Sequence, residues 1–209
     1  MSERLKNRRI ILGVTGSIAA VKAPRIAAEL KRDGAEVLCV MTDNAHQFVN
    51  ADELREASGN EVITKIFASA KSINDSRDAS GRLGNTWHVE LGRSAGAMLI
   101  APCSASIIGR LRGAVYDDPV SLVAASLPHS TPLVLAPAMD EEMWLQPAVQ
   151  DALSWLRMHG VSTIGPVKGL LASGLTGMGR MPEPEQIVTE FAEIIAPKSS
   201  AVGYVSPAA

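Results

Sequence analysis

Cysteine is scarce. Cys39 lies inside an expected strand and Cys103 just after one, and their spacing fits neither a metal knuckle nor a disulfide framework. The pattern points to a reducing cytoplasm and to no metal site. An excess of one charge sign is also missing: 20 basic residues against 22 acidic ones give a net charge of −2. That leaves no basic surplus for nucleic acid and no acidic tail. Long apolar runs are lacking too. The charged N-terminus, residues 1–9, leads into an apolar segment broken by Gly13, Gly16 and Lys22, which suits neither a signal peptide nor a membrane span. What remains is a chain of 209 residues, 46% of them hydrophobic, enough for one full core. A single domain over 1–209 is expected, with its core over about 9–195 and a frayed or partner-docked tail over 196–209.

Along the chain, short apolar runs alternate with helical patterns. Strands are expected over 9–14, 35–41, 97–101, 133–136 and 161–164, and helices from the turn after Val14 to about Asp33 and over 51–58, 107–111, 119–125, 147–159 and 183–195. Gly34 and Gly160 close two of these helices, and Asp118-Pro119 opens another. Strands alternating with helices give an α/β fold with a doubly wound parallel sheet, Rossmann-like and flavodoxin-like, in three layers. The polar tract over 71–78 has no apolar period and reads as a surface loop able to act as a flap. Residues 165–182 carry five glycines without a period, which reads as a binding loop or lid.

Three stretches carry candidate chemistry. The turn Thr15-Gly16-Ser17-Ile18-Ala19-Ala20 between a strand and a small-residue helix start presents free backbone N–H groups, which suits a phosphate or simply a tight turn; its spacing is neither the dinucleotide fingerprint nor a Walker loop. Thr42-Asp43-Asn44 after the second strand is placed to close over the same group. The run Pro137-Ala138-Met139-Asp140-Glu141-Glu142-Met143-Trp144 follows an apolar strand, at the end where open α/β sheets bind ligands. One carboxylate among thioethers and an indole makes a mostly apolar site, although Asp140 also suits a helix N-cap. His88 sits among apolar neighbours, either as a structural histidine or as an acid-base group, and Ser104 and Ser106 either cap a helix or face a ligand.

Taken together, Gly13 to Ala20, His88, Ala101-Pro102-Cys103-Ser104-Ala105-Ser106, Pro137 to Trp144, Ala172-Ser173-Gly174 and Gly179-Arg180-Met181 resemble the homo-oligomeric flavin-containing cysteine decarboxylases, collinearly from about Arg9 to Val188. That family includes phosphopantothenoylcysteine decarboxylases and enzymes acting on the C-terminal cysteine of ribosomal peptides. The resemblance implies FMN, its phosphate held by Gly16, Ser17, Ile18 and Thr42, and its ribityl chain and ring against Ser104, Ser106, Ala138 and Met139. It makes His88, Asp140 and Ser173 catalytic, and it places Asp140, Met143, Trp144, Ser173, Met178 and Arg180 around the substrate. It also implies a homotrimer or a dodecamer with the flavin between subunits, so that His88 acts on a neighbour's cofactor.

Two departures from the family pattern steer the choice of activity. Asp140 stands for its asparagine, and Ser173 for the cysteine that acts as proton donor in pantothenate-pathway members. Serine is a far weaker acid than cysteine, whose pKa is ~8.5. This favours oxidative decarboxylation of the C-terminal cysteine of a precursor peptide to an enethiol, with other peptide-modifying enzymes as partners and neither nucleic acid nor membrane involved. The alternatives are phosphopantothenoylcysteine decarboxylation and a catalytically silent flavin-binding regulatory subunit.

Overall fold

A computed structural model describes residues 3–66 and 86–196. The expected flap over 71–78, and the expected tail beyond Ala196, lie outside these residues. Five strands, β1 (Arg9–Val14), β2 (Glu36–Met41), β3 (Ala97–Cys103), β4 (Leu133–Pro137) and β5 (Ser162–Thr163), form one sheet in the order β2-β1-β3-β4-β5. Each neighbouring pair in it is parallel. The doubly wound expectation holds, and each apolar run reads as a strand because both faces of a parallel sheet are covered.

The period of two sorts the core into two halves. Ile10, Leu12 and Val14 of β1, with Ala97, Leu99 and Ala101 of β3, face one side, where α1 (Ala23–Arg32) and α8 (Pro184–Ile195) lie. The helices answer with their own period: Ala23, Ile26, Ala27 and Leu30 are buried on α1, and Ile187, Val188, Phe191, Ala192 and Ile195 on α8. Ile11, Met98, Ile100 and Cys103 point the other way, toward α4 (Ala105–Gly113), α5 (Pro119–Ala125) and α7 (Pro147–Met158). Each fully buried Ile or Leu contributes roughly 1.5–3 kcal/mol. The shorter helices are α2 (Ala51–Ser58), α3 (Trp87–Ser94) and α6 (Glu141–Trp144). His88 lies in the first turn of α3.

Residues 165–182 differ from expectation. They form an antiparallel hairpin of β6 (Val167–Leu170) and β7 (Thr176–Arg180), not an irregular loop. Glycines hide the pattern: β7 alternates exposure along Thr176-Gly177-Met178-Gly179-Arg180, but two of its inward positions have no side chain to show it.

Candidate active site

Strand order reverses between β1 and β3, and the crevice outside the carboxyl ends at such a point is the ligand site of open α/β sheets. The loops after β1, β2, β3 and β4 open there into one cavity of about 1120 Å³, larger than the 300–1,000 Å³ typical of small-ligand pockets. Thr15, fully buried, stitches two of those loops together. Its hydroxyl donates to the Pro102 carbonyl at 2.8 Å and accepts from the Ser104 N–H at 3.0 Å. Sequence reasoning gave Thr15 no role of its own; its place directly after a strand was the available signal.

Gly16, Ser17, Ile18, Thr42, Ser104, Ser106, Ala138, Met139, Asp140, Met143 and Arg180 all line this cavity, so most of the expected site residues are brought together. At Gly16 an added Cβ would lie 2.5 Å from the Asn44 Cβ, so only glycine lets the β1 turn approach the loop after β2. Ser17 caps the 3-10 turn over 18–22, accepting from the Ala19 N–H at 3.4 Å. Thr42 is 8% exposed, and its Oγ1 has no hydrogen-bond partner. A buried hydroxyl is nearly always satisfied, so an orphan in the wall of a cavity fits a polar ligand such as a phosphorylated cofactor.

The β4 loop and the hairpin form the opposite wall. Asp140 is the N-cap of α6, accepting from the Glu141 N–H at 2.8 Å, and it lines the cavity as well, so the cap and site readings both hold. The Ser173 hydroxyl, and after it the Glu141 N–H, keep the Asp140 carboxyl below the usual carboxylate range. Glu141 accepts from the Met178 N–H at 2.8 Å, and the Met139 N–H donates to the Gly179 carbonyl at 3.1 Å. Glu141 was missed as a site residue; it is a tether that holds the hairpin to this wall.

Four expected residues do not face the cavity of their own chain. Ser173 is exposed at the hairpin tip beside Asp140. Met178 contributes its backbone N–H rather than its side chain. Trp144 packs partly buried against the α4–α7 half of the core. His88 meets Trp87 edge to face, with ring centroids 5.7 Å apart, and its Nδ1 is buried without a partner. Among the described residues no group of three or more His, Cys, Asp or Glu could hold a metal ion, and no helix is long and apolar enough to cross a membrane.

A glycine turn opening a short helix, an orphan threonine and a two-serine loop around one crevice describe a nucleotide-like cofactor site, and residues 1–196 match the family described as Flavoprotein. The chain belongs to that family. It is 36% identical over 200 residues to the coenzyme A biosynthesis bifunctional protein CoaBC of Haemophilus influenzae, covering 96% of this chain and 47% of that protein. The chain thus spans about half the length of the curated relatives it matches. Among solved structures, a cysteine-to-serine mutant of PPC decarboxylase complexed with pantothenoylaminoethenethiol is 29% identical. It covers 89% of this chain and 97% of that one, with a TM-score of 0.75. The FMN-binding protein AtHal3 is 28% identical over 89% of this chain and 95% of that one, with a TM-score of 0.73. FMN is the cofactor named for AtHal3, and the glycine turn, Thr42 and the two-serine loop around this flavoprotein's cavity fit such a group.

The relatives correct the expected activity. Curated proteins 34–36% identical over 94–96% of this chain are coenzyme A biosynthesis proteins, which overturns oxidative decarboxylation of a peptide's C-terminal cysteine. The expectation rested on Ser173. The acidity of one side chain bears on how a proton is delivered, whereas substrate class depends on the whole cavity wall.

Proposed function

We propose that the chain is an FMN-dependent decarboxylase of phosphopantothenoylcysteine. The observation that carries this reading is its likeness, along nearly its whole length, to curated coenzyme A biosynthesis proteins. FMN, when bound, would supply the two-electron acceptor whose oxidation of the carbon bearing sulfur creates the electron sink that a cysteine carboxylate lacks. The chain's own residues hold and orient. The turn over 15–18 and Thr42 take the phosphate, Ser104 and Ser106 face the rest of the cofactor, and Ala138 and Met139 form the adjoining wall. Asp140, ionised at neutral pH, accepts hydrogen bonds from the substrate's donors and repels a second carboxylate beside it. Met143 and Arg180 line the substrate side of the cavity, and Ser173, at the hairpin tip outside it, acts through its bond to Asp140.

His88 takes the thiol proton in the cavity of a neighbouring copy. Its unpartnered Nδ1 and its place outside its own chain's cavity support that role, as does the exposed apolar rim of Ile18, Val21, Met143 and Leu170. A homotrimer follows from this reading.

The test is incubation of FMN-loaded protein with phosphopantothenoylcysteine, and separately with a peptide ending in cysteine, followed by mass spectrometry. Carbon dioxide should be lost from the first substrate and not from the second. Protein that binds FMN and leaves phosphopantothenoylcysteine untouched overturns the reading.

A further inference from the structure

Arg110 enters the cavity wall from α4, one turn after Ser106. Its Nη1–H donates to Ser106 Oγ, and its Nε–H donates to an Asp117 carboxylate oxygen at 2.7 Å, with Asp118 at 3.6 Å. Asp117 reaches back because α4 ends at Ala114, a non-glycine residue in the left-handed region at φ 54°, which turns the chain around. Asp118 is fixed in its turn: it accepts from the Val120 and Ser121 N–H groups at 2.9 and 3.0 Å and from the Ser121 hydroxyl at 2.8 Å. The guanidinium is thus gripped from two segments.

The consequence falls on Ser106. A serine hydroxyl has one hydrogen and two lone pairs, and a guanidinium only donates. With Arg110 on one lone pair, the single Ser106 hydrogen has no use toward Arg110, and Ser106 donates no bond to protein among the described residues. We propose that Arg110, pinned by Asp117, is a positioning residue that commits Ser106 to donate its hydrogen to an uncharged acceptor, a carbonyl or imine nitrogen, of the bound flavin. This rests on the FMN cavity described above. The unpartnered Thr42 Oγ1 in the same cavity independently marks it as a polar-ligand site. Without Arg110 the hydroxyl rotates freely, and the preorganised donor is lost.

The experiment is titration of FMN, by quenching of its fluorescence, onto apoprotein of the wild type, Arg110→Met, Arg110→Lys, Ser106→Ala and the Arg110→Met/Ser106→Ala double variant. Thermal melts of each verify folding. A lost neutral hydrogen bond weakens binding about threefold to tenfold, and Arg110→Met and Ser106→Ala should each do so. The double variant should bind no worse than Ser106→Ala, because Arg110 acts only through that hydroxyl. Arg110→Lys, which keeps a donor, should recover part of the loss. Asp117→Asn, which leaves the guanidinium in place but loosens it, should fall between wild type and Arg110→Met. Losses that add in the double variant, or unchanged affinity in a folded Arg110→Met, overturn the positioning role while leaving the flavin site intact. Failure of the wild type to bind FMN overturns both.

Discussion

At the scale of single residues, the two family departures form one local unit. Ser173 faces Asp140, and the effect is to hold that carboxyl ionised. Its folded pKa lies below the unfolded value of ~3.9, so its contribution to stability is fully present above that value and is lost as pH falls through the lower folded one. Comparing the melting temperatures of wild type and Asp140→Asn across pH should therefore show a constant difference at neutral and mildly acidic pH, narrowing only below about pH 4. A difference that changes near neutrality would mean that another group sets it. Asp140→Asn should keep the α6 cap and activity, since asparagine caps as well as aspartate does, whereas Asp140→Ala should lose both. Asp140 was legible from sequence because it follows an apolar strand and precedes a short helix. Arg110 was not, because its partners are a serine one turn away and an aspartate that returns only after the left-handed turn at Ala114.

At the scale of elements, the parallel strands were readable as apolar runs bounded by turns, because burial on both faces leaves no polar alternation to confuse them. The hairpin was not, since its packing is made by the absence of side chains. A Cβ at Gly179, whose φ is 135°, would stand 2.1 Å from the Met139 carbonyl oxygen, and one at Gly177 would stand 2.4 Å from Glu141 Oε2. The two glycines differ in what they meet: backbone at Gly179, the end of a flexible side chain at Gly177. Gly179→Ala is therefore expected to force the hairpin off the β4 loop, at a cost of about 1–3 kcal/mol, with faster amide exchange over 167–180 and weaker substrate binding. Gly177→Ala should do less, because the flexible Glu141 side chain can move away, at the cost of its single bond to the Met178 N–H. Equal effects on exchange would show that the clash with the Met139 carbonyl is not what fixes the hairpin.

At the scale of the whole molecule, the proposed reading divides the site, with the cavity in one chain and the base from another. His88→Asn should still bind FMN, and its decarboxylation should fall by about 10²–10⁴, the usual contribution of a general base; near-normal turnover would make the histidine structural. The arrangement across copies has a sharper consequence. In a head-to-tail ring every interface joins one copy's His88 face to the next copy's cavity. Suppose that His88→Asn and Asp140→Ala, each inactive alone, are co-expressed and assemble at random. A site formed from the His88 of an Asp140→Ala copy and the Asp140 of a His88→Asn copy is then complete. Random mixing makes about a quarter of the interfaces complete, so the mixed oligomer should regain about that fraction of wild-type activity, while the two proteins assembled separately and then combined should regain none until their subunits exchange. Were His88 to serve its own chain, no mixture would contain a complete site, and activity would stay at the level of the single variants however long exchange continued.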